Sequence, residues 1–380
     1  MKKRNGFISI SIIYSFFLVF MLMLLLILSS FINARMRLNI YKKDVKQSEA
    51  AENQDVYLAD YIKSHASENA NGEYRFTGTN PNNFIRFNSE LWRIIGLVKV
   101  QNCLDYDIND TSGVFRCTNY EETSLIKLIH YYSLGSMPWD YKQSGVGSST
   151  SDNGSNDWSD AQIMMMLNST DYFKSGYSAS GTTIHTSYYL DGYSVSDGTH
   201  KIYNNMGSYF TPYLNALKPA LTTTTGFNST DAIEECAEKN NCIKKISSEY
   251  SEKMATVRFD LGGINTALDA AATYNSERET NVSSGNAAYW YGKVGLVYAS
   301  DLLYASDWLQ KVDDTCLSTW TLTHNLNNKD SVYYYSCSNN ALNTSTVNSS
   351  YHIRPVVHIS TKTRLVGNHS GSKTDPFIIN

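Results

Sequence analysis

The sequence has 380 residues, a formal net charge of −4, 28 Tyr, 6 Cys and only 6 Pro. That length allows one large or two modest domains. The mild charge, with no basic stripe interleaved with aromatics, excludes a nucleic-acid binder.

Residues 5–34 carry no charge and run through Phe16-Phe17-Leu18-Val19-Phe20 into Leu24-Leu25-Leu26-Ile27-Leu28. About 20 mostly apolar residues suffice to cross a bilayer, so a membrane-inserted helix is expected at 7–33. A cleaved secretory signal would want an apolar core of about 7–15 residues and a small-x-small site. Ser29-Ser30-Phe31 and Asn33-Ala34-Arg35 supply no such site. From 34 to 69, Leu38, Tyr41, Val45, Val56, Leu58 and Ile62 recur loosely at helical spacing without Gly or Pro, which predicts a helical stalk. The turn cluster Asn69-Ala70-Asn71-Gly72 ends it.

A folded region is expected over 70–380. Phe84-Ile85-Arg86-Phe87 and residues 91–100 read as strands of a hairpin, with Trp92 facing the core. A loop between Cys103 and Cys117 follows, then a strand at 124–129. Residues 157–168 read as a helix capped by Asp157 or Ser159 and containing Trp158. Residues 294–298 read as a strand, 299–305 as a short helix, and 320–323 with 331–335 as paired strands. Near the end stands Ile353-Arg354-Pro355-Val356-Val357-His358-Ile359. Arg93 is expected to serve packing with Trp92, and Arg354 to meet a carboxylate beneath the domain, because a buried Arg needs a partner. Trp92, Arg93, Trp158, Arg354 and Pro355 are therefore read as structural. His352 and His358 are read as partly exposed strand residues.

The cysteines fall into three local pairs, Cys103 with Cys117, Cys236 with Cys242, and Cys316 with Cys337. Six cysteines permit fifteen pairings, but locality beside a membrane anchor favours three disulfides outside the cytoplasm. No CxxC or matched Cys/His spacing speaks for zinc. The charges flanking the apolar stretch pull the other way. Lys2, Lys3 and Arg4 precede it, while Arg35, Arg37, Lys42, Lys43 and Lys46 follow, an order that alone favours the reverse orientation. The cysteines and the short leading tail are given more weight. The fold class expected is α+β: a long N-terminal transmembrane and stalk helix, then a β-rich, disulfide-stapled globular domain with short helices.

Catalytic signatures are missing: the sequence contains no G-x-S-x-G, H-E-x-x-H, P-loop or G-x-G-x-x-G. The cluster Asp152-Asn153-Gly154-Ser155-Asn156-Asp157 has calcium-loop composition without the regular spacing, and helix capping accounts for it. No cofactor and no metal are expected.

Two resemblances add to this reading. Lys2-Lys3-Arg4-Asn5-Gly6, then Phe7 and the apolar run, resemble the N-terminus of type IV pilins and pseudopilins. The resemblance implies a basic leader at 1–6 cut between Gly6 and Phe7. The family's Glu five residues into the mature chain is here Ser11, which weakens the case for filament assembly. Residues 87–96, the helix carrying Trp158, Gly295-Leu296-Val297, residues 353–357 and Asp375-Pro376-Phe377 are together similar to an uncharacterised surface domain of low-GC Gram-positive bacteria. That domain looks distantly like C-type-lectin and sulfatase-modifying-factor folds. The function implied is a single-pass membrane-anchored surface protein that binds an extracellular ligand without catalysis, its C-terminal domain outside the cell. The alternative is a minor pseudopilin whose partners are pilus, competence or secretion components. A sulfatase-modifying enzyme would use Cys316 and Cys337 as a thiol pair, for which a structural disulfide is the simpler expectation.

Overall fold

The computed structural model describes residues 21, 56–107, 116–134, 136–140, 154–168, 185–186, 193–194, 246–266 and 269–380. Residues 56–365 with 369–380 form one compact unit, which holds the elements below.

In chain order these are α1 (Leu58–His65), β1 (Ser67–Glu68), β2 (Tyr74–Arg75), β3 (Phe84–Phe87), β4 (Glu90–Asp107), β5 (Arg116–His130), β6 (Ser136–Pro138), α2 (Gln162–Leu167), β7 (His185–Thr186), β8 (Tyr193–Ser194), α3 (Ser248–Lys253), β9 (Val257–Asp260), α4 (Ala270–Glu277), β10 (Tyr289–Gly292), α5 (Ala299–Ala305), β11 (Lys311–Val312), β12 (Thr315–Cys316), β13 (Thr319–His324), β14 (Ser331–Ser336), β15 (Ala341–Thr346), β16 (Ser350–His352) and β17 (Val356–Ile359).

β4 is the spine of the larger sheet. Along one edge it meets β3, β2 and β9 in turn, and along the other it pairs with β5 over its whole length. β17 extends the sheet beyond β5, with Lys127 opposite His358. The ladder shifts register between Ile94 and Gly96. There β2 comes so close that a Cβ at position 96 would run into the Tyr74 carbonyl oxygen, so only glycine fits. The second sheet has the order β15-β14-β13-β16-β6, with β13 and β16 parallel.

One apolar core serves both sheets and gathers all six tryptophans. Burial of every Trp, including Trp92 and Trp158, spends these large apolar rings on packing and not on surface recognition. Trp139, Trp158 and Trp290 form a chain of rings 5.5 and 6.0 Å apart.

The expected long N-terminal transmembrane and stalk helix is corrected. Tyr57 is extended, α1 is eight residues long, and the chain returns to strand at Ser67. Leu58, Ala59 and Ile62 are buried in the domain core, and the Leu58 amide donates to the Thr363 carbonyl. Leu58 and Ile62, read as the end of a stalk, belong to a short amphipathic helix docked on its own domain, while Leu38, Tyr41 and Val45 lie outside the described residues. Among the described residues no helix is long and apolar enough to cross a membrane, and the fold is β-rich with short helices. Residues 7–33, apart from Met21, lie outside the described residues, as do Gly6 and Phe7.

Smaller differences follow the same logic. The capped helix around Trp158 is a 3-10 turn, Trp158–Asp160, then an extended Ala161 and α2. Asp157 does cap that turn, accepting from the Ser159 amide at 3.1 Å. Residues 294–298 make one bridge, Gly295 to Val356, and no regular strand. His358 is buried, not partly exposed, because it sits beneath β9 with its ring 5.6 Å from Phe259.

Candidate functional site

Three groupings of side chains could carry function. The first is a buried charge network. Asp301 stands in the first turn of α5, where its carboxylate accepts from the Tyr298 amide at 2.9 Å. The same carboxylate takes Arg75 Nη1 at 2.6 Å and Lys127 Nζ at 2.5 Å. Arg75 turns its other side to Glu73 at 2.8 Å, and Glu73 also accepts from the Tyr274 hydroxyl at 2.8 Å and the Lys99 amide at 3.0 Å. All four charged side chains are buried. Burial alone would raise the Asp301 carboxyl, but Lys127 and Arg75 outweigh it and hold it well below the usual carboxylate range. Two anions and two cations cancel. The network ties α5 to β2 and β5 and leaves no unpaired acid or base to act on a substrate.

Glu277, also buried, is separate from these four. It accepts from the Ser300 amide at 3.1 Å, from the Ser300 hydroxyl, and from the Thr323 hydroxyl at 2.5 Å. Burial pushes its carboxyl up, against the pull of the Arg278 guanidinium 3.8 Å away and of those hydrogen bonds. Among the described residues no group of His, Cys, Asp and Glu is placed to hold a metal ion.

The second grouping contains the sequence-predicted residues. Trp92 packs edge-to-face on Phe87 at 5.5 Å and His130 at 5.0 Å. Its neighbour Arg93 lies between the rings of Phe84 and Trp308, 4.2 and 4.3 Å from their centres. Arg93 donates to Asn83 Oδ1 at 2.7 Å and to the Pro81 carbonyl at 3.0 Å. Arg354 donates to the carbonyls of His130 and Leu309. Among the described residues the carboxylate expected beneath Arg354 is not there: both arginines meet neutral acceptors. The Pro355 carbonyl accepts from the His130 amide at 2.9 Å, fixing β17 beside β5. Trp92 and Arg354 both meet His130, while Trp158 packs against Trp139 and Trp290.

The third is the outer end of the β4–β5 ribbon. Its ladder continues from Lys99 opposite Ser124 to Asp107 opposite Arg116, where the sequence suggested a loop. The Cys103–Cys117 disulfide staples it. β9 supports its root through Asn102 opposite Val257 and the Cys103 amide donating to Thr256. Beyond that point Leu104, Tyr106 and Tyr120 are 50, 53 and 53 % exposed. Tyr289, exposed on β10, adds a further ring. A rigid ribbon bearing apolar and aromatic side chains offers contact area at low entropic cost. Cys316 and Cys337 form the other described disulfide, and Cys236 and Cys242 lie outside the described residues.

Sequence reasoning missed the Asp301 network because Arg75 and Lys127 are 226 and 174 residues away from their partner. The one local signal was an Asp in the first turn of a short helix.

Compared with known proteins, this chain matches no protein-family model, no curated protein and no solved structure.

Proposed function

We propose that this chain is a membrane-anchored cell-surface protein whose β-rich domain binds an extracellular partner without catalysing a reaction. The uncharged stretch 5–34 supports the anchor. Two disulfides support export to an oxidising compartment. The observation that carries the reading is the stapled ribbon end with Leu104, Tyr106 and Tyr120 turned to solvent. The exposure of these three side chains on a domain that buries every tryptophan supports a contact surface at the ribbon end.

The test has two arms. Proteinase added to intact cells should remove the C-terminal domain, and full protection would refute the placement. Wild-type protein in detergent, screened against glycans and secreted proteins, should yield a ligand whose affinity falls at least about tenfold in the Leu104→Ser, Tyr106→Ser, Tyr120→Ser variant at unchanged melting temperature. Undiminished affinity would refute the ribbon as the contact surface.

A further inference from the structure

The arrangement around Arg93 and Arg354 is costly as it stands. Arg93 is 3 % exposed and Arg354 1 % exposed. Guanidinium groups so deeply buried ordinarily pair with carboxylates. Here their acceptors are an amide oxygen and three backbone carbonyls, all neutral. Arg354 Nη2 is buried with no hydrogen-bond partner at all. Burial lowers Arg354 to about 10. Burial first, and then the charge of Arg354, lowers Arg93 to about 9. Both stay cationic at neutral pH, and no carboxylate among the described residues pairs with either.

The contrast with Arg75 is instructive. That arginine is equally buried but holds two carboxylates. The domain thus supplies counter-ions where it needs a permanent ion pair and withholds them here.

We propose that Arg93 and Arg354 form a binding site for a small oxyanion of the carboxylate or phosphate class, with the buried, unpartnered Nη2 of Arg354 as a donor. A guanidinium presents two parallel N–H groups that match such an anion, and two guanidiniums can hold one from both sides. Phe84 and Trp308 fix the plane of Arg93, so its fork is set before the ligand arrives. Tyr131 packs edge-on against Phe84, the ring that Arg93 covers, with centres 5.2 Å apart, and its hydroxyl donates to Asp313 at 3.1 Å. Asp313 lies in the two-residue turn between β11 and β12, is about half exposed, and is paired with Lys373. The Lys373 ammonium lies 5.2 Å from the Tyr131 ring. This site rests on neither the anchor nor the ribbon.

The test uses the full chain in detergent, titrated with inorganic phosphate and separately with acetate, against chloride at equal ionic strength. Either anion at ten times its Kd should raise the melting midpoint by about 3 °C over chloride. A response to phosphate alone assigns the phosphate class, and a response to acetate the carboxylate class. Arg354→Lys keeps a charge but loses the fork, and should weaken the responding anion at least tenfold. Arg93→Gln should do the same and provides the answer if the first variant fails to fold. Midpoints that depend only on ionic strength, or an unchanged anion response in the folded variants, overturn the proposal.

Discussion

Replacing Asp301 by Asn removes the one carboxylate that Lys127 reaches and one of the two that hold Arg75. The side-chain shape is kept, and with the amide oxygen left where Oδ2 accepts from the Tyr298 amide and Lys127, the new NH2 faces Arg75 Nη1, so the carboxylate charge and one hydrogen bond are lost together. Removing one partner of a buried ion pair costs about 3–5 kcal/mol. Arg75 keeps Glu73, so the penalty falls mainly on Lys127, which has no second acceptor among the described residues. Its escape is to give up the proton, which for a lysine of ordinary pKa costs about 4.6 kcal/mol at pH 7. Both routes converge on roughly 4 kcal/mol, or on the order of 10 °C in melting midpoint for a domain of this size. Two further outcomes belong to this mechanism. The deficit of Asp301→Asn should shrink as pH rises toward 10, since the neutral amine then comes at lower cost. Adding Lys127→Met should recover most of the loss, giving strong non-additivity in a double-mutant cycle. Circular-dichroism melts of the four proteins at pH 7 and 9.5 make the measurement. An Asp301→Asn midpoint within about 2 °C of wild type, or no recovery in the double variant, would refute the reasoning.

His324 gives a pH dependence of definite sign. Burial lowers it from 6.5 to about 4, so as pH falls through 6.5 the unfolded chain takes a proton that the folded chain refuses. Stability should drop by up to about 1.4 kcal/mol per pH unit from this residue until the folded value is reached, and His324→Gln should flatten that slope in urea titrations. Cys316→Ser opens a loop of sequence separation 21. The expected cost is about 3 kcal/mol in urea unfolding, exceeded by reductant on the wild type, which opens the Cys103–Cys117 bridge as well. Trp92→Ala empties a fully buried site between Phe87 and His130. It should cost about 3–5 kcal/mol and lower the secreted yield, with wild-type melting as the contrary result.

Much of the domain could be read from local pattern. Phe84-Ile85-Arg86-Phe87, residues 91–100 and 124–129, and the β13–β14 pair alternate or carry β-branched and aromatic residues, and the structure has strands there. The turn at 69–72 is closed by Asn69, whose side chain accepts from the Asn71 and Glu73 amides, with Gly72 at φ 70°. What could not be read depends on partners distant in sequence. The segment Asn102-Cys103-Leu104-Asp105 looks like a loop because it is polar, yet it is strand because β5 and β9 are there to pair with it. Leu58 and Ile62 have the same spacing in a free stalk and in a docked helix, and only the sheet beneath distinguishes them. Arg354 was expected to find a carboxylate by the general cost of burial, and the neutral carbonyls of His130 and Leu309 meet it instead. The Asp301 network follows from no spacing at all, since β2, β5 and α5 meet only in the folded domain.

The central claim is an exported, surface-bound protein, and intact-mass and N-terminal analysis of membrane-extracted chain, before and after reduction, tests it most directly. The account predicts a product that partitions with the membrane and gains six hydrogens on reduction, from its 6 cysteines in three pairs. At least the Cys103–Cys117 and Cys316–Cys337 bridges must be closed in the extracted protein. A mature chain starting at Phe7 would add pilin-like processing, and one starting at Met1 a static anchor. Six free thiols in the membrane-extracted chain would contradict the extracellular placement, and the positive charges that follow residue 34 would then have been the better guide to orientation.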